Sequence, residues 1–586
     1  MTAPISARGR YWQIAGASKE LTPEAILEVR GWDTEAAQRH LNASFRAETA
    51  DPDRFTEMSS AAETLATAIQ EQTSIAILSD YDADGATSFA ILTRFLEACG
   101  ASADLHVPDR LREGYGPSNH GIDRLAERGA EVLVVLDSGT SAHGVLNHAR
   151  ERGLIVLVID HHNIPEAGRP PVTAFVNPKR PNGSAVERSQ THLCTAGLTL
   201  LFCAAIRKRL RGQGHPGGTV NIQDLTDAAA LGTVADVVPL TGFNRALVRG
   251  GLQQINTSPS PGVRALLEDA GLADQEDGLQ RQITAEDLAW RLGPRVNAGG
   301  RIGEASLAAH CLASRTLEMA RPRAEQLGHL NGERQALCDR ALQEAVATVD
   351  QDSAALPPCL VVQGGWHPGI VGILAGRLRE RYDRPAVVIG RYQDEADAEP
   401  VTAGSARSVP GFDIGRAVID AAAAGLIARG GGHAGAAGLT PLPGPLDDLR
   451  AYLATRVEAA APFPIAEKVD AVVVPSGLTV ADIKAMDRLM PFGAGNPKPA
   501  VCVTGVVRDA RSLHDKHVRF WLATPPGAGR GGVKAIAFNV VGTTLGNMLL
   551  AGGHLHCLGE VQVDAYQGRE RPQLLVRDVL VAETEA

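Results

Sequence analysis

Three continuous apolar runs in the first third of the chain are the feature that most limits its fold. SIAILSD (74–80), EVLVVLDSG (131–139) and GLIVLVIDHH (153–162) are dominated by Val, Ile and Leu, and helical patterns separate them. Strands of this composition, spaced by helices, are typical of a parallel sheet that is buried on both faces. The sequence therefore predicts an α/β fold for this part of the chain.

The rest of the chain predicts three further segments. Residues 303–350 are rich in Ala, Leu, Glu and Arg and predict a long connecting helix or helix pair. A second alternation of strand and helix patterns begins near residue 359 and ends near residue 460. From about residue 465, short strand-like runs with turns between them are typical of a small barrel or sandwich. The predicted fold class is α/β, with two α/β lobes joined by a long helix and followed by a C-terminal β-barrel.

Length and composition exclude several kinds of protein. A chain of 586 residues is too long for one domain, and a net charge of −10 means that any nucleic acid must bind in a local groove of Arg and Lys. The eight cysteines form no CxxC pair, which argues against a disulfide framework or a structural zinc site and favours a reducing cytoplasm. We expect no membrane partner, because the chain shows neither a signal peptide nor an apolar run long enough to span a bilayer.

A turn rich in aspartate follows the first predicted strand. Residues 79–88 read SDYDADGATS, so Asp80, Asp82 and Asp84 occupy alternate positions and a glycine follows. Carboxylates this close together repel and raise one another's pKa unless a cation neutralises them. The turn by itself is compatible with a divalent metal site or with a solvated loop.

Three other segments end in acidic or histidine residues. Asp137 lies in LDSG, the run VIDHH contains Asp160, His161 and His162, and Asp236 lies in LGTVADVVPL. Taken singly, Asp137 or Asp236 could cap a helix, and the two histidines could form an exposed turn. Because ligands gather at the carboxyl ends of parallel strands, the segments together predict a metal site.

The residue types indicate which metal and which reaction to expect. Carboxylates with one or two histidines suit Mn²⁺ or Mg²⁺, and histidine favours Mn²⁺, whereas zinc fits this set poorly. Two such ions about 3.5–4 Å apart can activate a water and stabilise both oxygens of an in-line displacement at phosphorus. The sequence thus predicts metal-dependent hydrolysis of a phosphate ester.

These segments resemble a known family. DYDADG, LDSG, DHH and GTVADVVPL are similar to the catalytic motifs of the DHH phosphoesterase superfamily, and GGHAGAAG (431–438) resembles the signature of its DHH-associated domain. Further stretches resemble the RecJ single-strand exonucleases within that superfamily: VPDRLREGYG, LGPRVNAGGR, GWHPGIVGILAGRLRER, GSARSVPGFD, PFGAGNPKP and AIAFNV. The resemblance extends from about residue 50 to the end of the chain.

The resemblance implies a division of the chain into five segments. They are an N-terminal extension (1–50), a DHH catalytic domain (51–300), a connecting helical segment (301–355), a DHH-associated domain (356–460) and an oligonucleotide-binding (OB) domain (461–586). An OB barrel binds oligonucleotides on one face of its sheet.

The resemblance also implies how two ions would be bound. The first would be held by Asp84, Asp137, His161 and Asp236. The second would be held by Asp82 and Asp80, with Asp137 and Asp236 bridging the two ions.

Three further positions bear on catalysis. His162 would lie beside the scissile phosphate and stabilise the transition state, and Asp160 would orient the histidines. Pyrophosphatase relatives have a histidine four residues before the position of Asp82, where this chain has Leu78. The resemblance therefore implies weaker binding of the second ion.

An exonuclease must recognise a strand end, and in RecJ-like enzymes this is the 5' end. The resemblance implies a terminal-phosphate pocket at Ser405 and Arg407, because an arginine can bind two phosphate oxygens at once. Gly432 offers a backbone approach to a phosphate and His433 a donor. Further candidates for the strand's path are Arg110, Arg295 and Arg301. Surface ion pairs are the alternative for the arginines, and a tight packing turn is the alternative for the glycines.

The expected protein is a monomeric, cytoplasmic 5'→3' exonuclease that degrades single-stranded DNA to 5'-mononucleotides in repair and recombination. The resemblance implies a single-strand-binding protein and a helicase as partners. One alternative is a phosphodiesterase for short oligonucleotides or cyclic dinucleotides, although such relatives generally lack the OB segment. Another is a non-catalytic replication scaffold of the DHH type, although in this chain none of the predicted ligands is replaced.

Overall fold

In the computed structural model the chain divides into two units, Met1–Ala43 with Pro464–Ala586, and Ser44–Phe463. The structure describes residues 5–110, 112–276, 278–351, 356–393, 401–460, 466–525, 527–566 and 568–582. No helix among these residues is both long enough and apolar enough to cross a bilayer. The N-terminal residues contribute β1 (Tyr11–Gln13), α1 (Pro23–Val29) and α2 (Thr34–Leu41) to the first unit.

A five-stranded parallel sheet forms the core of the first lobe in the Ser44–Phe463 unit, with the strand order β3-β2-β4-β5-β6. The strands are β2 (Ile75–Ser79), β3 (Ala103–His106), β4 (Val132–Leu136), β5 (Ile155–Ile159) and β6 (Ala174–Val176). Every residue of β2 and β4 is buried. The parallel, doubly covered sheet predicted from the apolar runs is therefore confirmed.

Helices cover both faces of this sheet. Their bounds are α3 (Phe45–Glu48), α4 (Met58–Glu71), α5 (Ala83–Ala98), α6 (Asn119–Glu127), α7 (His143–Glu151), α8 (Ala185–Ser189), α9 (Thr195–Gly212), α10 (Thr226–Ala235), α11 (Gly242–Thr257), α12 (Pro261–Asp269), α13 (Ala285–Asp287), α14 (Gly293–Ile302) and α15 (Leu307–Leu312). Ile77 of β2 packs with α4, α5 and α9, whereas its neighbour Leu78 packs with α6 and α7. Each such side chain contributes roughly 1.5–3 kcal/mol by leaving water, so the sheet is a rigid support for the turns at its edge.

Short elements complete this lobe. They are the strands β7 (Ala273–Asp274) and β8 (Gly278–Leu279), the 3-10 turns Pro52–Arg54, Pro216–Thr219 and Ile222–Leu225, and a π-helical turn at Leu288–Leu292. The helical stretch predicted over 303–350 consists of α15 and the 35-residue α16 (Leu317–Gln351), which leads into the second lobe.

The second lobe is built on a mixed five-stranded sheet, in the order β12-β13-β11-β10-β9. Its elements are β9 (Leu360–Gly364), α17 (Val371–Tyr382), β10 (Ala386–Tyr392), β11 (Val401–Arg407), α18 (Ile414–Ala423), β12 (Ile427–His433), β13 (Ala436–Pro441) and α19 (Asp447–Ala460). Only β9 and β10 are parallel, and the other pairs are antiparallel. The glycine-rich stretch (431–438) covers the end of β12, which is the edge strand of this sheet, and the start of β13.

The other unit contains a closed five-stranded barrel, because β19 pairs with β16 as well as with β20. Its elements are β14 (Ala466–Lys468), β15 (Ala471–Val473), α20 (Val480–Ala485), β16 (Val501–Leu513), β17 (His517–Ala523), β18 (Gly532–Ala537), α21 (Thr544–Ala551), β19 (Gly553–Tyr566) and β20 (Arg569–Val581), with 3-10 turns at Pro475–Gly477 and Met486–Leu489. The predicted fold class is confirmed. The N-terminal β1 pairs with β14, so the start of the chain belongs to the same unit as the barrel. The five predicted domain boundaries stay predictions.

Gly559 provides a test of barrel closure. It lies at an irregularity between β19 and β20, where an added Cβ would be 1.9 Å from the carbonyl oxygen of Leu575. Gly559→Ala is therefore expected to lower the free energy of unfolding by about 1–3 kcal/mol, measured by urea unfolding. Gly477→Ala in the same unit, where an added Cβ meets nothing within 4 Å, is the control. Equal stability of both variants would contradict the packing described.

Candidate metal centre

The predicted metal ligands lie together at the carboxyl-terminal edge of the parallel sheet. β2, β4 and β5 are neighbours, so the turns that follow them meet at this edge. The aspartate-rich turn follows β2, Asp137 follows β4, and the histidine pair follows β5. Asp236, the C-cap residue of α10, reaches the same place from a helix.

The imidazole of His161 lies among three carboxylates. Its Nε2 atom is 3.4 Å from Asp137 Oδ1 and 3.8 Å from Asp84 Oδ2. Asp236 Oδ2 is also 3.8 Å from it. One ligand atom each of Asp84, His161 and Asp236 lies within 4.8 Å of the others, so these side chains could share one cation.

A second group overlaps the first. Asp80, Asp82 and Asp137 place one oxygen each within 4.8 Å of one another, and Asp137 also groups with His161 and His162. The structure thus brings together all six predicted ligands around Asp137. Their binding of an ion stays a prediction.

The aspartate-rich turn is held by its own backbone. Asp82 is the N-cap of α5, and its Oδ1 accepts hydrogen bonds from the amides of Asp84, at 2.9 Å, and Gly85, at 3.1 Å. A Cβ at Gly85 would lie 2.3 Å from the carbonyl oxygen of Asp80, so only glycine fits there. Asn297 on α14 accepts from the amide of Ala83 at 2.9 Å. The carboxylates therefore project from a fixed turn rather than from a solvated loop.

The clustered carboxylates are electrostatically unfavourable without a cation. Burial, and then the charge of Asp82, raises the pKa of Asp80 well above its usual value. Burial, and then the charge of Asp84, raises the pKa of Asp137 in the same way and that of Asp236 to about 9. One oxygen of Asp80, Oδ1, is buried and accepts no hydrogen bond from any residue that the structure describes. This donor set fits a divalent cation, whose charge would offset the repulsion.

The N-terminus of α9 orients a deeply buried ligand. Both oxygens of Asp84 accept backbone hydrogen bonds at 2.7 Å, from the amides of Thr195 and Ala196. The hydroxyl of Thr195 donates to Asp137 Oδ1 at 3.0 Å. Thr195 thus fixes two ligands at once. Its position at the start of an apolar helical run was the only sign of this role in the sequence.

Asp160 organises the histidine pair, as expected from the resemblance. Its Oδ1 accepts from the amides of His161 and His162 and lies 2.7 Å from His162 Nδ1, while its Oδ2 accepts from the amide of Thr140. Burial alone would lower the pKa of His162, but the hydrogen bond and charge of Asp160 raise it to about 9. Burial lowers the pKa of His161. The neighbouring imidazoles therefore differ: the lowered pKa of His161 favours the neutral form that binds a metal, and the raised pKa of His162 favours the cationic form.

Three residues near the histidines were not predicted to contact them. The hydroxyl of Tyr115 lies 3.0 Å from His162 Nε2. Asn177, which follows β6, donates to the carbonyl of His162 at 2.9 Å and accepts from the amide of Lys179. Half-buried Lys179 acts electrostatically on Asp160 and Asp236. Along the chain, Tyr115 is 47 residues and Asn177 is 15 residues from His162, so no short motif joins them to the histidines.

Four of the predicted phosphate-binding residues line one cavity of about 330 Å³ in the Ser44–Phe463 unit: Arg110, Ser405, Arg407 and Gly432. The guanidinium of Arg407 donates to Ser405 Oγ at 3.0 Å. A Cβ at Gly372, in the first turn of α17, would lie 3.1 Å from Arg407 Nη2, so the positive end of this helix is close. Burial, and then the charge of Arg110, lowers the pKa of Arg407. These features favour an anion in the cavity.

The other three candidates lie elsewhere. His433 is exposed and is not among the described residues that line the cavity; its Nδ1 accepts from the amide of Gly435. Arg295 forms an ion pair with Asp269 at 2.7 Å, the ordinary role of a surface arginine. Arg301 donates to the carbonyl of Gly369 at 3.1 Å and so joins the two lobes. None of these three side chains is among the described residues that line the cavity.

Arg110 links the cavity to the metal centre. It lines the cavity and also lies over the ring of Tyr81, 5.4 Å from its centroid. Tyr81 stands between Asp80 and Asp82, and its carbonyl is packed so closely by α14 that a Cβ at Gly300 would lie 2.4 Å from it. The two candidate sites are therefore joined by contacts within one unit.

Three family models match the chain. The DHH family N-terminal domain matches residues 74–233, the DHHA1 domain residues 356–459 and the RecJ OB domain residues 469–578. The chain is 31% identical to the single-stranded-DNA-specific exonuclease RecJ of Bacillus subtilis, over 95% of this chain and 68% of that protein. It is 33% identical to RecJ of Dickeya dadantii, over 82% of this chain and 83% of that protein. The chain belongs to the RecJ family.

A solved structure agrees with this RecJ assignment. The crystal structure of RecJ from Thermus thermophilus in complex with Mn²⁺ matches with a TM-score of 0.77 and 27% identity, over 97% of this chain and 77% of that chain. The predicted resemblance to RecJ is confirmed. In this chain, the RecJ fold contains a cluster of carboxylates and histidines whose donor atoms suit a divalent cation such as Mn²⁺.

Asp137→Asn in this RecJ-family chain tests the metal centre. Asp137 has a left-handed backbone conformation (φ 59°), which asparagine also tolerates, so the turn is preserved. Removing one buried charge should raise the Tm of the metal-free protein, because like charges no longer repel. It should abolish the stabilisation by Mn²⁺, which at 100 times Kd is about 2.7 kcal/mol for the unmodified chain.

Thermal unfolding with and without Mn²⁺ measures both effects. Asp123→Asn, which changes an exposed carboxylate outside the metal centre, should leave the response to Mn²⁺ unchanged. A normal Mn²⁺ response in Asp137→Asn would contradict the centre.

Proposed function

We propose that this protein is a metal-dependent exonuclease that degrades single-stranded DNA from the 5' end and releases 5'-mononucleotides. The proposal rests on one observation: the candidate metal centre and the phosphate-sized cavity are connected by contacts within one unit. Six acidic or histidine side chains suited to divalent cations are linked, through Tyr81 and Arg110, to a pocket that suits a terminal phosphate.

The residues that would hold the cations follow the two groups in the structure. Asp84, His161 and Asp236 would bind one ion, Asp80 and Asp82 the other, and Asp137 lies in reach of both sets. When bound, Mn²⁺ or Mg²⁺ would supply positive charge at the phosphodiester and acidity for the attacking water.

His162 would act on the phosphate as a cationic donor. Its Nδ1 is engaged by Asp160, which leaves Nε2, beside the hydroxyl of Tyr115, as the nitrogen that can donate to a substrate oxygen. A preorganised donor of this kind stabilises charge that develops in the transition state. Asp160 would keep the ring oriented and charged.

The polarity of degradation would come from the cavity in the second lobe. Arg407 and Arg110 present guanidinium groups to it, and Ser405 adds a hydroxyl. A terminal phosphate carries more charge than an internal phosphodiester, so this cavity would prefer a phosphorylated 5' end. Anchoring the end there would bring the next phosphodiester to the metal centre and release one nucleotide at a time.

The proposal includes a cellular setting. All eight cysteines are free and buried, which supports a reducing compartment such as the cytoplasm. The OB domain supports binding of single-stranded DNA. A monomeric enzyme of DNA repair and recombination, working with a helicase and a single-strand-binding protein, agrees with these features.

One assay compares this function with its alternatives. The protein is incubated with Mn²⁺ and a 5'-labelled single strand, a duplex or a dinucleotide. Consumption of the single strand supports the exonuclease. Preference for the dinucleotide would indicate a phosphodiesterase for short substrates, and no consumption at all would indicate a scaffold.

His161→Ala and Asp84→Ala test the catalytic centre. Each removes a side chain from the first group, so hydrolysis of single-stranded DNA should fall by more than about 100-fold while the fold is kept. Asp160→Asn changes a supporting residue and should cost about 10–100-fold. Initial rates with Mn²⁺ measure these losses, and excess EDTA should stop the unmodified protein. His329→Ala, on an exposed helix face, is the control. Full activity of His161→Ala would refute the assignment.

Arg407→Ala tests the anchoring of the 5' end. The variant should lose its preference for 5'-phosphorylated over 5'-hydroxyl strands, because the terminal phosphate loses a bidentate partner. The measurement is the ratio of kcat/KM for the two ends. Arg416→Ala, which removes an exposed arginine paired with Asp420 in the same lobe, should keep the ratio. An equal loss on both kinds of end would speak against this role.

A further inference from the structure

A larger cavity, of about 1090 Å³, lies beside the edge strand β3 of the parallel sheet. The consecutive residues from Ala103 to Val107 line it, and the cavity belongs to the Ser44–Phe463 unit. Helix α6 forms one wall, and α5, α15 and the start of α16 form the other. We call it the edge cavity. None of the predicted metal ligands is among the described residues that line it.

The α6 wall of the edge cavity bears a row of basic side chains. His120, Arg124 and Arg128 are spaced by four residues, so they share one face of the helix over about 12 Å. All three are exposed and line the cavity, as does Arg112. Within the described parts of the chain, none of the three guanidinium groups has a hydrogen-bond or ion-pair partner. Arginines without a carboxylate partner favour an anionic ligand.

Carboxylates line the edge cavity too, but the protein engages most of them. They are Glu97, Asp104, Asp109, Glu113 and Glu304. Glu97 forms an ion pair with Arg315 at 2.9 Å, and Glu113 lies 3.1 Å from His106 Nε2. Of the five, only Asp104 has no partner among the residues for which the structure gives a position. Unpaired arginines therefore outnumber unpaired carboxylates in this cavity.

The opposite wall provides aromatic and apolar surface. The exposed imidazole of His310 meets the buried ring of Phe89 edge to face, with centroids 6.2 Å apart. Met319, which is 47% exposed, and half-buried Leu105 line the same cavity. Aromatic rings, histidine among them, stack on nucleobases, and methionine adapts to irregular apolar ligands. This wall therefore suits a base.

The two walls together suit a nucleoside polyphosphate. One arginine can bind a single phosphate through two hydrogen bonds, whereas a row of basic groups suits several linked phosphates. The volume of the cavity is close to the upper end of the range for small-molecule sites, about 300–1,000 Å³. A nucleotide can therefore reach from the α6 wall to His310 without displacing protein atoms.

The turn before α6 joins the edge cavity to the phosphate cavity. Arg112 and Glu113 line the edge cavity, whereas Arg110 lines the phosphate cavity and lies over Tyr81. Asp109 ties the turn together, because its carbonyl accepts from the amide of Glu113 at 2.8 Å and its own amide donates to Glu113 Oε1 at 3.0 Å. A ligand that binds Arg112 is therefore bound to the same turn as Arg110.

We propose that the edge cavity is a regulatory site for a nucleoside polyphosphate. The phosphates lie on Arg112, Arg124 and Arg128, and the base lies against His310. Through the turn that contains Arg110, the bound nucleotide changes the preference for 5'-phosphorylated ends. The binding site is independent of the proposed function, whereas the effect on end preference rests on it.

Titration with dATP in the presence of EDTA measures binding without hydrolysis. By calorimetry, Arg124→Ala and Arg128→Ala should each bind dATP about 10- to 100-fold more weakly than the unmodified protein, because each loses charge-assisted hydrogen bonds. His310→Ala should weaken the binding of dATP but not that of inorganic triphosphate, which has no base. Absence of dATP binding to the unmodified protein, or an unchanged affinity in Arg124→Ala, would overturn the proposal.

Three controls locate the bound nucleotide. Arg150→Ala removes an exposed arginine of α7, outside the cavity, and should bind dATP normally. Arg407→Ala should also keep its affinity for dATP. Loss of binding in Arg407→Ala, with normal binding in Arg124→Ala, would place the nucleotide in the phosphate cavity and overturn the proposal. Oligo(dT) with a 5'-hydroxyl end should not displace dATP, and displacement would assign this groove to the strand instead.

Rates with and without dATP test the effect on end preference, with Mn²⁺ kept in excess of the nucleotide. The ratio of kcat/KM for 5'-phosphorylated and 5'-hydroxyl strands should change at saturating dATP in the unmodified protein and stay constant in Arg124→Ala. A constant ratio in both proteins would overturn the regulatory role. If the unmodified protein cleaves no strand, the proposed function and the regulatory role both fail, and the titration still decides the binding site.

Discussion

The repulsion among buried carboxylates at one edge of the parallel sheet is the constraint on which the rest of the structure depends. Burial raises the pKa of Asp80, Asp84 and Asp137 together, so the folded chain bears an electrostatic cost before any cation arrives. Backbone amides of α9 offset part of that cost at Asp84. The apolar cores on the two faces of the sheet supply the stability that lets such a cluster persist.

The two lobes present side chains of opposite charge. The first lobe carries the acidic cluster on a rigid sheet, whereas the second presents guanidinium groups in a cavity. Short contacts join them: Arg301 donates to the carbonyl of Gly369, and Arg110 touches both the cavity and Tyr81. In the proposed reaction, a terminal phosphate and the scissile bond can be bound at the same time only if these distances are fixed. Gly300 of α14 allows the aspartate-rich turn to pack closely against this helix, because an added Cβ would lie 2.4 Å from the carbonyl oxygen of Tyr81.

The sequence predicted the strands and the candidate metal ligands better than it predicted the hydrogen-bond partners that surround those ligands. The strand ends and the candidate ligands could be identified because they form a local pattern: apolar runs end in Asp137 and in the histidine pair. Thr195 and Asn177 could not, because they act through hydrogen bonds with residues distant in the chain. The sequence grouped Arg295 with the phosphate-binding residues, and that role stays a prediction. The ion pair that Arg295 forms with Asp269 could not be predicted from the sequence, because the two residues are 26 positions apart.

The sequence alone determined the α/β class, the family and the set of carboxylates and histidines, since apolar periodicity and short motifs are properties of the chain itself. Only the tertiary structure decided which charges face one another, and that Asp160 raises the pKa of His162 while burial lowers the pKa of His161. Burial and distance set the energy of a charge. Neither quantity exists until the chain has folded.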